Sequence, residues 1–130
     1  MSMNDTMARV LSDIYNLEKI GRDECITGPS AKLILAVLDI FKHHQYVGDY
    51  KVIDDGKGKK IHINLIGHIN VCGVIKPRYS IKNNNYEKFE KRYLPASGFG
   101  ILVVSTSQGI MTHSEAKKKG LGGVLLAYCY

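Results

Sequence analysis

Tryptophan is absent from the 130 residues, proline occurs three times, and no apolar run approaches the ~18 residues that a membrane-spanning helix needs. The opening MSMNDTMARV has neither a basic region nor an apolar stretch of secretion-signal type, so the expectation is a soluble, unsecreted, cytoplasmic chain with no membrane partner. Cysteine is scarce as well. Cys25, Cys72 and Cys129 are an odd count at wide spacing, which fits neither a disulfide framework nor paired C-x-x-C zinc ligands. Each reads as a small, reduced, buried residue in a strand.

Acids are scarce in one half only. Residues 66–130 hold nine Lys/Arg but only Glu87, Glu90 and Glu115, whereas residues 1–65 hold nine of each sign, so the whole net charge of +6 lies in the second half. Unpaired cations repel one another unless a polyanion faces them, so this half is expected to face one, with solubility alone as the alternative. The charge by itself does not separate RNA, DNA and an acidic protein.

The rest of the composition, 45% hydrophobic and 23% charged, is that of an ordinary globular chain with one compact core or two small ones. Met7, Val10, Leu11, Ile14 and Leu17 recur at spacings of three and four, which predicts a helix from Asn4 to Ile20 with Asn4 or Asp5 as cap and Gly21 as stop. Glu24 to Thr27 reads as extended. After the break at Gly28-Pro29, Ser30 is placed to cap a second helix through His44, with Leu33, Ile34, Val37, Leu38 and Phe41 as its apolar face. Period-two alternation (Tyr50, Val52, then Ile61, Ile63, Leu65) around Asp54–Gly58 predicts a hairpin. Further extended pieces are expected at Val71–Ile75 and Arg78–Ile81, a loop at Asn83–Asn85, a short helix at Tyr86–Leu94, and buried strands at Phe99–Ser105 and Val124–Tyr130. The fold class is therefore α+β. Two small α/β domains are expected, residues 1–68 with helices on a short sheet and residues 69–130 mostly β with a short helix.

Between the last two strands the chain runs STSQGIMTHSEAKKKGLGG, from Ser105 to Gly123. Thr112 and Glu115 form a capping box, so a short helix starts there, carries Lys117, Lys118 and Lys119 in its last turn and stops at Gly120. Ser105, Thr106 and Ser107 offer small hydroxyls that let a base edge, sugar or phosphate come within hydrogen-bond distance. Gly109, Gly122 and Gly123 permit close backbone approach. A purely structural reading stands beside this one: hydroxyls in a turn, and lysines complementing a helix dipole.

The string GILVVSTSQGIMTHSEAKKKGLGG resembles the C-terminal motif of the small-subunit ribosomal protein family numbered eight. The likeness extends over the chain: MND-MARVLSDIYNLEKIGR, ITGPSAKLI and DYKVIDD sit where that family has them. Gly73 to Tyr79 (GVIKPRY) is similar to the archaeal and eukaryotic form, which makes an archaeal source a reasonable expectation. The resemblance implies a primary binder of the central domain of small-subunit ribosomal RNA that supports subunit assembly and translation. It implies neighbouring small-subunit ribosomal proteins as partners, a free state that is monomeric, no cofactor, no metal and no catalytic residue. Carried over by position, Ser105, Thr106, Ser107 and Gly109 would meet RNA bases and backbone, with Gly122 and Gly123 as close-packed neighbours. Lys117, Lys118 and Lys119 would be peripheral phosphate contacts, and Lys76 and Arg78 additional ones. Ser30, Lys32 and Arg9 would reach RNA from the N-terminal domain. Relatives that repress their own messenger make translational autoregulation a further implication.

Enzymatic alternatives have little support. None of His43, His44, His62, His68 and His113 has a partner at metal-ligand spacing, and no G-x-S-x-G turn accompanies Ser107 and His113. Gly98-Phe99-Gly100 lacks the third glycine and the following helix of a dinucleotide loop. Tyr128 and Tyr130 are expected to pack on their own sheet rather than stack on a base.

Overall fold

A computed structural model describes residues 3–54, 56, 58–75, 80–82, 85–96 and 99–130, with backbone alone for 3–5. The order of elements is α1 (Met3–Lys19), β1 (Glu24–Thr27), α2 (Lys32–His43), β2 (Val47–Asp54), β3 (Lys59–Leu65), β4 (Cys72–Val74), β5 (Ser80–Ile81), α3 (Tyr86–Tyr93), β6 (Ile101–Thr106), β7 (Gly109–Thr112), α4 (His113–Lys119) and β8 (Gly123–Cys129). The chain divides into two compact units, Met1–Gly73 and Val74–Tyr130.

In the first unit the antiparallel sheet has the order β1-β3-β2, with Cys25 opposite Ile63 and Val52 opposite Ile61. The stripe foreseen on α1 is buried at Met7, Val10, Leu11 and Ile14. Ile34, Val37, Leu38 and Phe41 of α2 are buried likewise, and Ile61, Ile63 and Leu65 face the same core. Removing apolar surface from water, which contributes about 25 cal/mol per Å², is what stabilises such an arrangement. The hairpin alternation holds only on β3. Val52 is 43% exposed, in the half of β2 next to the turn, where Lys51 to Asp54 are all exposed.

Two helix starts differ from expectation. Asn4 and Asp5 lie inside the first turn of α1, which begins at Met3. Ser30 does not cap α2. The N-cap is Ala31, in extended conformation and without a side-chain cap bond, while the Ser30 N–H donates to the Lys59 carbonyl at 2.9 Å. That bond ties the segment after Gly28-Pro29 to β3 and uses Ser30 as a strand partner.

The second sheet has the order β4-β8-β6-β7, and β5 pairs with β8. Its core gathers Ile75, Ile81, Tyr86, Phe89, Leu102, Val104, Met111 and Leu125. The apolar run at Ile101–Val104 is buried on both faces as foreseen, but the strand starts at Ile101, and Phe99 is 51% exposed. Strand β7 was not foreseen. Tyr128 lies 5.4 Å from Tyr93 and Tyr130 6.5 Å from Phe99, ring centre to ring centre, so both terminal tyrosines pack within their own unit. The cysteines are buried and free, on β1, β4 and β8, as the sequence implied. Burial pushes the Cys72 thiol up to about 12 and that of Cys25 up to about 11, the charges of Glu18 and Asp13 respectively adding to it.

Candidate nucleic-acid interface

The hydroxyl cluster forms the tip of the β6–β7 hairpin. Thr106 and Gly109 are the last paired residues, Ser105 pairs with Ile110, and Ser107 and Gln108 make the two-residue connection. Ser105 and Thr106 are half-buried, whereas Ser107, Gln108 and Gly109 are exposed. Gly109 has φ +120, a backbone conformation that a β-carbon opposes, so glycine is needed here for the turn itself. The Thr106 hydroxyl donates to the Gly109 carbonyl at 2.7 Å and accepts from the Gln108 N–H at 3.2 Å. The structure thus gives the three hydroxyls different environments: Ser105 within the sheet, Thr106 clasping the turn, and Ser107 facing solvent.

Gly122 and Gly123 are pressed against the protein's own backbone. A β-carbon on Gly122 would collide with the carbonyl oxygen of Ile81, and one on Gly123 with that of Ser105. Both belong to the place where the chain enters β8 between β5 and β6. The Gly123 contact lies directly behind Ser105, so close strand packing supports the hairpin base from inside.

Thr112 caps α4 as read from the sequence, through the half of the capping box that its own hydroxyl makes. The Thr112 hydroxyl accepts from the Glu115 N–H at 3.4 Å, and Gly120, at φ +66, ends the helix in the left-handed conformation. The three lysines of α4 are not equivalent. Lys117 meets Glu90 of α3, whose side chain is only 7% exposed, while Lys118 and Lys119 are exposed. Glu90 also faces His113 Nε2 at 3.3 Å, and His113 Nδ1 accepts from the Leu102 N–H at 3.1 Å. An accepting Nδ1 carries no proton, so Nε2 bears the hydrogen and donates to Glu90. His113 is therefore a buried link between α4, β6 and α3. This network was missed at the sequence level, although Tyr86, Phe89, Glu90 and Tyr93 share a spacing of three and four that places Glu90 on the inner face of α3.

In the first unit, Arg9, Lys59 and Lys60 surround a cleft of about 240 Å³ with Gly28, Pro29 and Asp13. The Asp13 carboxylate accepts from the Thr27 hydroxyl at 2.7 Å, which engages the one acid among these lining residues. Arg9 thus lies at a concave basic surface with two lysines that sequence reasoning did not single out. Lys32 is exposed in the first turn of α2, and Ser30 is half-buried beside β3. Lys76 and Arg78 lie outside the described residues. Among the described residues no cluster of three His, Cys, Asp or Glu side chains forms a metal site, and no helix is long and apolar enough to cross a membrane.

The family model described as Ribosomal protein S8 matches residues 5–130.

Proposed function

The chain belongs to the ribosomal protein S8 family, structural and non-enzymatic proteins of the small ribosomal subunit that bind ribosomal RNA, and from that premise we propose that it holds the central domain of that RNA through the Ser105–Gly109 turn. The observation that carries this reading is the hairpin tip itself: an exposed hydroxyl at Ser107 and an exposed glycine at Gly109, on a rigid two-strand base, with Lys118 and Lys119 exposed on the helix that follows. Small hydroxyls and bare backbone suit an irregular RNA helix, where recognition depends on shape, 2′-hydroxyls and unstacked base edges. The lysines supply attraction to phosphate that is independent of sequence.

Ser105, Thr106, Ser107 and Gly109 form the specific site in this reading, Thr106 by closing the turn through its own bonds, with Gly122 and Gly123 packing behind it. Lys118 and Lys119 are phosphate contacts, and Lys76 and Arg78 are proposed as additional ones on the sequence alone. Lys117 contributes through α4 instead, because its ammonium is engaged by Glu90. In the N-terminal domain, Arg9, Lys32 and Ser30 are secondary RNA contacts, and the basic cleft of Arg9, Lys59 and Lys60 supports that role. We further assign the chain to the archaeal and eukaryotic type, on the sequence GVIKPRY at Gly73–Tyr79. The protein acts in the cytoplasm on the ribosome, as a monomer when free, beside neighbouring small-subunit proteins. Control of its own messenger by the same RNA-binding surface is part of this proposal.

The test is a filter-binding titration with small-subunit ribosomal RNA fragments tiled across the molecule, in excess transfer RNA and at two salt concentrations. Tight binding of one central-domain fragment that survives the competitor supports the proposal. Equal binding of all fragments, abolished by salt, reduces the second half of the chain to a general polyanion surface.

A further inference from the structure

We infer that Gln108 reads a base edge of the bound RNA and that Thr106 is the residue that positions it, an inference resting on the RNA-binding reading of the hairpin tip. Ser107 and Gln108 are the only residues between the paired ends Thr106 and Gly109, and neither has a positive φ. The mirror-image turns that close most two-residue hairpins need positive φ at one or both central positions, so this tip closes differently, with the positive φ on the glycine that follows. The left-handed conformation falls on Gly109, and the Thr106 hydroxyl completes the closure by bonding across the tip to the Gly109 carbonyl and the Gln108 N–H. Its hydrogen is committed to the carbonyl, which leaves Thr106 nothing to donate to RNA.

The same bonds fix the backbone of Gln108, whose side chain is exposed at the tip. A carboxamide presents a donor and an acceptor side by side in one plane, the complement of a base edge that carries an acceptor next to a donor. In RNA such edges are accessible where bases are unstacked. Gln108 is uncharged, so its contribution is to discrimination and not to salt-dependent attraction. Thr106 then acts through its neighbour, as a positioning residue.

The experiment measures dissociation constants of Gln108→Ala, Thr106→Val, Thr106→Ser, the double variant Thr106→Val/Gln108→Ala, and Ser107→Ala. Each is titrated against the ribosomal fragment selected above and against an unrelated RNA, with hydrogen exchange of the Gln108 amide followed in the free protein. Gln108→Ala is expected to weaken the specific complex by about tenfold while leaving the unrelated RNA and the salt slope unchanged. Thr106→Val should cost a similar factor and deprotect the Gln108 amide, Thr106→Ser should restore both, and the double variant should be no weaker than either single one. Native affinity of Gln108→Ala alongside a weakened Ser107→Ala overturns the inference and leaves the hairpin site standing. Additive losses in the double variant mean that Thr106 touches RNA itself, which also overturns it. Native affinity in all of them removes the tip from the interface and takes the broader proposal with it.

Discussion

Replacing Lys117 by alanine tests whether neighbouring lysines of one helix do different work. The Lys117 ammonium meets a Glu90 side chain that is 7% exposed, in a unit whose core includes Tyr86, Phe89 and Leu94. Deleting one partner of a fully buried ion pair costs about 3–5 kcal/mol, because the other charge is left without compensation. Two features reduce that figure here. Glu90 keeps its hydrogen bond from His113, and the Lys117 side chain is 40% exposed, so water can follow its removal. The expected loss is therefore about 1–3 kcal/mol, the cost of a buried polar group short of one partner. Lys118 is exposed one residue further on, and its alanine variant should stay within about 0.5 kcal/mol of native. Urea unfolding with a common m-value reads both, and Lys117→Met, which keeps the aliphatic stem, separates lost charge from lost packing. A Lys117→Ala variant as stable as Lys118→Ala would show that Glu90 gains nothing from the pair. Lys117 would then return to the set of phosphate contacts.

Gly123→Ala forces a β-carbon onto the Ser105 carbonyl and the Val104 side chain, neither of which is a flexible end. Overpacking of this kind costs about 1–3 kcal/mol, and urea midpoints should fall accordingly, with RNA affinity falling as well because Ser105 is displaced. Unchanged stability and affinity would contradict the close packing behind the hairpin. In alkali the buried thiols set the sign: Cys25 and Cys72 stay protonated in the folded state up to about 11 and about 12, while in the unfolded chain they ionise near 9. Stability should therefore fall as pH rises from 9 toward 11, by up to about 1.4 kcal/mol per pH unit for each thiol, and a Cys25→Ala variant should show a shallower decline. At pH 8 a soluble thiol reagent should modify none of the three cysteines faster than the protein opens, since all are at most 4% exposed. Rapid labelling of Cys72 would place it at an accessible surface.

Local signals carried most of the architecture. The stripes of α1 and α2, the Thr112 cap and the apolar run at Ile101–Val104 are set by neighbours three, four or two positions away, and each is where the local pattern put it. Failures came where a distant strand decided the outcome. Ser30 has the chemistry of a cap, yet its N–H bonds to Lys59, a partner 29 residues on that no local rule supplies. Strand β7 is four residues long and starts on a glycine, below what alternation resolves, and only its pairing with β6 makes it a strand. The same limit applies to the site. The residue types at the hairpin tip pointed to RNA, but the committed hydroxyl of Thr106, the pairing of Lys117 with Glu90 and the grouping of Arg9 with Lys59 and Lys60 depend on the folded chain.

The central claim is that the Ser105–Gly109 turn confers discrimination and the lysines confer attraction. It is tested most directly by titrating native protein and Ser107→Ala against the selected ribosomal fragment over a series of salt concentrations. The expected result is a loss of about 1–3 kcal/mol in specific binding for Ser107→Ala, with the same dependence of log affinity on log salt as the native protein. Native affinity for the fragment, or a loss accompanied by a flatter salt slope, would contradict the assignment of Ser107 to base and backbone recognition.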